Sequence, residues 1–263
     1  MGRLTGKAAV VLGAGGKGNM AQAIARRFRA EGAQVLVAGR KMDELRSFAA
    51  EIGGHAAPCD ITRPEELCAL GKTALDQMGS VSIAVNAAGW GLLKPFLETT
   101  TEELRRMTAL QFIGPFQFCQ EMIKVMHHGG SIIQISSATA TIMLNDHAAY
   151  MGAKAGTDHV IRCVANEFGK RGIRANSLSP GLTETPMTAA AKEVPGLFEC
   201  FRERYPLGRI GTSEDVAAAA VWLASDECFM TGENLQVNGG LTLRRNPTGD
   251  EIAAAIAKAG GAT

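Results

Sequence analysis

The sequence carries no clustered run of lysine or arginine, and its 27 basic and 26 acidic residues leave a formal net charge of +1. Such a balance gives no electrostatic footprint for nucleic acid or for an anionic membrane surface. Its six cysteines, Cys59, Cys68, Cys119, Cys163, Cys200 and Cys228, include no Cys-x-x-Cys pair. That argues against a zinc site or a disulfide framework, and no metal is expected. No apolar run approaches the roughly 18 residues that a membrane span requires. Met1 leads within a few residues into an apolar strand ending at a glycine turn, a stretch too short and wrongly flanked for a signal peptide. Internal repeats, low-complexity stretches and interdomain linkers are also missing. The expectation is a soluble, cytoplasmic chain with one core.

What is present is a regular alternation of short apolar runs with longer helical patterns. This is the signature of a parallel sheet covered on both faces. Strands are expected at Ala8–Leu12, Val35–Ala38, Ala56–Cys59, Ile83–Asn86, Ser131–Ser136, Arg174–Ser179 and Glu233–Val237, with helices such as Met20–Ala30 and Asp43–Ile52 between them. At 263 residues the chain can bury a large core, and a single doubly wound α/β domain over residues 1–243 is the simplest architecture. Residues 244–263 then form a C-terminal extension with a short Ala-rich helix, Glu251–Ala259. A helix so short is marginal in water without tertiary contacts, so it either frays or docks on its own or a neighbouring subunit.

Tyr150 stands four residues before Lys154, and Ser137 precedes both. Residues at i and i+4 share a helix face, so a helix through Tyr150 and Lys154 sets an ammonium beside a phenol. A neighbouring cation favours phenolate and lowers the tyrosine pKa from about 10 toward the working pH, where general acid–base catalysis is most efficient. Ser137 offers a hydroxyl to a substrate oxygen. A Tyr-x-x-x-Lys pair alone occurs by chance in many chains. Here it follows, in order, a glycine turn (Gly13, Gly15, Gly16, Gly18) after the first apolar run and Val85–Asn86–Ala87–Ala88–Gly89 after a later one, and it precedes Ser179–Pro180–Gly181. From about Leu4 to Leu243 the pattern resembles the short-chain dehydrogenase/reductase family, of the classical type.

The resemblance implies a Rossmann-type fold, a doubly wound seven-stranded parallel sheet with helices on both faces. It also implies reversible hydride transfer between a nicotinamide cofactor and a ketone or secondary alcohol, with Ser137, Tyr150 and Lys154 catalytic. Gln111 stands where the family usually has an asparagine that steadies a water between the lysine and a proton relay. A glycine turn between a strand and a helix suits a pyrophosphate, which main-chain N–H groups and the helix N-terminus can face. This implies contacts from Gly13, Gly15 and Gly18. The family's usual Gly-x-x-x-Gly-x-Gly spacing is not kept: alignment on Ala23–Ile24–Ala25 needs a longer loop and puts Met20 in the contact series. The acid that would bind the ribose 2′-hydroxyl of NAD is absent at Gly39, and Arg40 follows. A guanidinium holds a 2′-phosphate bidentately, with Lys17 as a second positive charge, so NADP is expected, with NAD as the alternative. Asp60 and Ile61 resemble the adenine-contacting pair, and Asn86, Ala87 and Gly89 the motif that closes the cofactor floor. Pro180 and Gly181 would lead the chain around the nicotinamide, with Thr183 and Thr185 near its carboxamide. Tyr150 and Lys154 would also touch its ribose.

For the substrate, the segments that line the pocket in this family carry Trp90, Met143, Leu144, Met187, Leu197, Phe198 and Phe201 here, with His147 as a pocket wall. Mostly apolar walls select by shape and favour a small hydrophobic carbonyl or alcohol. Three readings follow: an NADP(H)-dependent carbonyl reductase or alcohol dehydrogenase; a 3-oxoacyl-thioester reductase docking a carrier (acyl carrier protein or CoA) at Arg202, Arg204 and Arg209; and a non-catalytic dinucleotide sensor, against which Ser137, Tyr150 and Lys154 argue. Enoyl reductases of the family space tyrosine and lysine more widely and are disfavoured. A homotetramer or homodimer is expected, built through long helices around Leu104–Met126 and Tyr150–Lys170.

Overall fold

The computed structural model describes residues 2–260. Seven strands form a central parallel sheet: β1 (Ala8–Leu12), β2 (Gln34–Gly39), β3 (His55–Pro58), β4 (Ile83–Asn86), β5 (Gly130–Ile135), β6 (Ile173–Pro180) and β9 (Asn234–Val237). Their order is β3-β2-β1-β4-β5-β6-β9, and every pairing is parallel. Two further short strands, β7 (Thr183–Glu184) and β8 (Gly211–Thr212), pair outside this sheet.

Alternate side chains of a strand point to opposite faces, and both faces are buried here. Ala9 and Val11 of β1 pack with Ile24 and Phe28 of α1 (Met20–Ala30), Leu45 and Phe48 of α2 (Met42–Ile52), and Val216 and Val221 of α9 (Ser213–Ala224). Val10 and Leu12 turn the other way, to Leu67 and Leu70 of α3 (Pro64–Met78), Phe118 and Met122 of α5 (Gly114–Val125), and Ile161 and Val164 of α6 (Ala148–Phe168). The strand order reverses between β1 and β4. In an open α/β sheet a ligand binds outside the carboxyl ends of the strands at such a switch point.

The single long helix expected around Leu104–Met126 is not continuous. It consists of α4 (Thr101–Thr108), one π-helical turn (Ala109–Ile113) and α5. The cause lies in Pro115. Proline has no N–H to give the carbonyl four residues back, and its ring crowds that carbonyl, so the helix widens there. The freed acceptor is Gln111 O, and the Thr157 hydroxyl of α6 donates to it.

The C-terminal extension docks on its own chain. Helix α10 (Gly249–Gly260) packs against α8 (Leu197–Arg202), which follows the short α7 (Ala189–Lys192). Ile252 joins a cluster with Phe198, Phe201 and Leu241, and Asn246 Nδ2 donates to the Met143 carbonyl at 3.0 Å. Glu251 binds Arg245 through two 2.7 Å bonds and also pairs with Arg204 at 2.8 Å. Deleting residues 244–263 removes this apolar burial and the Asn246 bond, about 2–4 kcal/mol together. A fall in Tm on the order of 5–10 °C is expected by thermal denaturation; an unchanged Tm would mean that the helix contributes nothing to the fold.

Candidate active site

Beyond the carboxyl ends of β1 to β4 lies a cleft of about 710 Å³. Its floor needs glycine at position 13. Gly13 has φ +104°, and a Cβ there would lie 2.7 Å from the Ala87 carbonyl carbon and the Ala88 nitrogen. Glycine lets the turns after β1 and β4 touch, and Ala87, Ala88 and Gly89 form the far wall. The loop is folded by its own side chains: Asn19 Nδ2 donates to Gly13 O at 2.8 Å and Gln22 Nε2 to Ala14 O at 3.0 Å. Gly18 N donates to Gln22 Oε1 at 2.8 Å. Gly15, Gly16 and Asn19 therefore line the cleft, whereas Gly18 and Lys17 are exposed outside it and the Met20 side chain packs partly against the core. No sequence motif points to Asn19 or Gln22, whose partners become visible only when the loop is folded.

Arg40 and Lys41 follow β2 and line the cleft together, so the second positive charge comes from Lys41 rather than Lys17. Asp60 and Ile61 follow β3 on the same wall. Burial alone would raise the Asp60 pKa, but hydrogen bonds from the Thr62 N–H and hydroxyl, with Arg40 and Arg63 nearby, hold it below the usual carboxylate value. Asn86 faces inward. Its Nδ2 donates to Gln134 Oε1 at 2.9 Å and its Oδ1 accepts from Ala88 N at 3.1 Å, so it shapes the turn rather than the open wall. Arg105 and Arg106 of α4 also line the cleft, and the Arg106 guanidinium lies 4.1 Å from the Trp90 ring centroid. No motif pointed to these two arginines.

Ser137 follows β5, and Tyr150 and Lys154 lie one turn apart at the start of α6. The Ser137 hydroxyl interacts with the Tyr150 phenol and lies 2.8 Å from Thr139 Oγ1. Lys154 is 3% exposed; its ammonium donates to Ile135 O at 2.7 Å and sits 5.5 Å from the Tyr150 ring centroid. The expected acidification of the phenol by Lys154 is not what the structure shows. Burial pushes Tyr150 up to about 12, Ser137 lowers it and Asp158 raises it further. The reason is geometric: the ammonium bonds to a main-chain carbonyl and lies over the ring. Burial likewise pulls Lys154 down to about 8, against the attraction of Asp158. At neutral pH the tyrosine is therefore a proton donor and the lysine is still mostly charged. Gln111 lies behind them, 1% exposed, with Nε2 donating to Trp90 O at 3.0 Å and a buried Oε1 that has no partner among the described residues.

His147 stacks on Tyr150 with ring centroids 4.4 Å apart and an interplanar angle of 29°. Its Nδ1 donates to Leu92 O at 2.7 Å, which fixes the tautomer, and burial lowers its pKa despite that bond. The imidazole is thus a neutral wall beside the phenol. Met187 lines the cleft and is largely exposed, Met143 is largely exposed outside the cleft lining, and Leu144 packs on the cluster around Phe198 and Phe201. Leu197, Phe198 and Phe201 instead pack with Tyr205, Ile210 and Leu241, so they support the pocket rather than line it. Pro180 ends β6, and a Cβ at Gly181 would overlap the Tyr205 hydroxyl, which donates to Leu182 O at 3.1 Å. Thr188 Oγ1 ties this segment by donating to Thr183 O at 2.7 Å and accepting from Thr185 N at 3.1 Å. Of the basic residues set aside for a carrier, Arg204 pairs with Glu251 and Arg209 binds both Asp215 carboxylate oxygens at 2.7 Å.

A family model described as enoyl-(acyl carrier protein) reductase matches residues 13–242. The 3β-hydroxysteroid dehydrogenase 1 of Eggerthella lenta is 37% identical over 251 residues, 91% of this chain and 95% of that protein. The chain belongs to the short-chain dehydrogenase/reductase family. The D-threitol dehydrogenase of Mycolicibacterium smegmatis is 32% identical over 250 residues, 92% of this chain and 95% of its own. A short-chain dehydrogenase/reductase structure from Mycobacterium ulcerans superposes with a TM-score of 0.90 at 29% identity, covering 97% of this chain and 98% of the other. This short-chain dehydrogenase/reductase is accordingly an oxidoreductase acting on CH–OH and C=O groups with a nicotinamide dinucleotide. Among the described residues, no helix is long and apolar enough to cross a membrane.

Proposed function

We propose that the protein is an NADP(H)-dependent carbonyl reductase or alcohol dehydrogenase for a hydrophobic ketone or secondary alcohol. The observation that carries this reading is the placement of Ser137, Tyr150 and Lys154 at the carboxyl ends of the strands, one strand beyond a glycine-floored cleft that presents Arg40 and Lys41. The cleft suits a dinucleotide: a Cβ at Gly13, Gly15 or Gly16 would press on Ala87, Lys41 or Asn19 and disturb the cleft wall, and Arg40 and Lys41 supply two cations for a 2′-phosphate. A bound nicotinamide supplies or takes the hydride. Gly13, Gly15, Ala87 and Gly89 would hold the dinucleotide, with Asp60 and Ile61 at the adenine and Thr183 and Thr185 toward the carboxamide. Ser137 orients the carbonyl oxygen by a hydrogen bond. Tyr150, whose proton burial holds on the phenol, donates that proton to the carbonyl oxygen in reduction and takes it back in oxidation. Lys154, whose ammonium is held at Ile135 O and lies 5.5 Å from the Tyr150 ring centroid, would touch the nicotinamide ribose and keep a positive charge beside the proton donor.

Trp90, His147, Met143 and Met187 would give the substrate an apolar enclosure, which favours a steroid-like or otherwise lipophilic carbonyl. One relative at 37% identity is named for a hydroxysteroid, and another at 32% for a polyol, so both belong in the assay. A 3-oxoacyl thioester is less well served, because Arg204 and Arg209 already have acidic partners. The exposed Leu104, Ile113 and Phe116 on α4, the π turn and α5 suit a contact with a second copy of the chain. A spectrophotometric panel of steroid ketones, simple ketones, polyols, 3-oxoacyl and enoyl thioesters with NADPH and NADH tests the reading. Fastest turnover is expected with an apolar ketone and NADPH; preference for a polyol or an enoyl thioester would overturn it.

A further inference from the structure

The helix that carries Tyr150 and Lys154 bears a third ionisable group one turn further on. Asp158 Oδ2 accepts hydrogen bonds from Ser136 Oγ at 2.8 Å and from Asn234 Nδ2 of β9 at 2.7 Å. Its Oδ1 and the neighbouring Ser177 hydroxyl of β6 are both buried, and neither makes a well-aligned hydrogen bond among the described residues. Ser136 sits between Ile135, whose carbonyl receives the Lys154 ammonium, and Ser137, whose hydroxyl meets Tyr150. One carboxylate therefore ties the end of β5, which supplies both of these contacts, to the helix that supplies both reacting side chains. On the opposite side of α6, the Gln111 carbonyl is already taken by Thr157.

The charged groups around Asp158 are few. On α6 they are Lys154 and Arg162, with the ionisable Tyr150; beside β9 there is Glu233, which with Arg162 and Asp158 lines a cavity of about 230 Å³. β5 and β6 face the carboxylate with the neutral Ser136 and Ser177. Burial raises the Asp158 pKa above the ordinary carboxylate value, while Ser177, Ser136, the Lys154 ammonium and Asn234 work against that rise and favour the ionised form. Resting on the oxidoreductase reading above, we propose that Asp158 is a positioning residue, whose carboxylate keeps Lys154 an ammonium and fixes the β5 end so that Ser137 and Lys154 hold their places around Tyr150.

The consequence is a defined pH signature. Burial pulls Lys154 down to about 8 even with Asp158 present, so removing the carboxylate charge lowers it further. Asp158 also raises the Tyr150 pKa, and its loss moves that group in the same direction. Reduction needs both groups protonated, so the alkaline limb of kcat/KM in Asp158→Asn moves to lower pH. An opposite charge at this range shifts a pKa by about one unit or more, so the variant should lose about tenfold against wild type at pH 9 and little at pH 6. Asp158→Glu, which keeps the charge, should restore much of the limb. A uniform loss at every pH with the limb unmoved would leave only a structural role and overturn the proposal. An NMR titration of the Lys154 side chain, assigned by its absence in Lys154→Met, reads the same shift without substrate. If the wild type turns over no carbonyl, the oxidoreductase reading fails, and an unshifted Lys154 titration in Asp158→Asn then sinks the positioning role separately.

Discussion

Tyr150→Phe is expected to lower ketone reduction at least about hundredfold, the usual scale of general acid catalysis, while leaving dinucleotide affinity nearly unchanged. The substitution deletes one oxygen and keeps the ring, so the stack on His147 at 4.4 Å and the contact with Lys154 survive. What is lost is the phenolic proton, which burial holds on Tyr150; the neighbouring imidazole cannot replace it, because its N–H is committed to Leu92. Steady-state kinetics paired with dinucleotide binding by fluorescence check both halves. A variant that keeps most of its kcat would remove Tyr150 from the mechanism.

The second large effect concerns the cofactor. Arg40→Ala should weaken NADPH by about one to two decades, since a charge-assisted hydrogen bond contributes about 1.5–3 kcal/mol, and should leave NADH almost untouched. Arg40→Asp should go further, repelling a 2′-phosphate and offering the ribose hydroxyls an acceptor. Placing the acid at Gly39 is a poorer design. A Cβ there would lie 3.1 Å from Gly15 N, so any side chain presses the glycine loop and disturbs both cofactors at once. Calorimetric titration of each variant with both dinucleotides decides the matter. Equal weakening of NADPH and NADH by Arg40→Ala would make Arg40 a solvated loop residue.

The sheet was legible because strands buried on both faces read as unbroken apolar runs, and Val10–Leu12 and Ile83–Val85 cannot read otherwise. The three reacting side chains were legible because one helical turn fixes the spacing of Tyr150 and Lys154. What escaped depended on partners distant in sequence. The π turn is written in Pro115, but its meaning needs Thr157, 46 residues away from Gln111, to take the freed carbonyl. Asp158 reads as one more polar position on α6 until Ser136 and Asn234 close on it. Phe198 and Phe201 look like pocket residues by position and pack instead under the C-terminal helix. The raised pKa of Tyr150 was out of reach too, since spacing sets Lys154 beside the phenol but not the direction in which its ammonium turns.

The most direct measurement follows the hydride itself. NADPH carrying deuterium at its transferable position is incubated with the protein and a lipophilic ketone, and the product is analysed by mass spectrometry and NMR. The expected product is an alcohol with deuterium on the carbinol carbon, formed by the wild-type protein and suppressed in Tyr150→Phe. Tight dinucleotide binding without label transfer to any carbonyl, or label appearing at the β-carbon of an enoyl thioester, would contradict it.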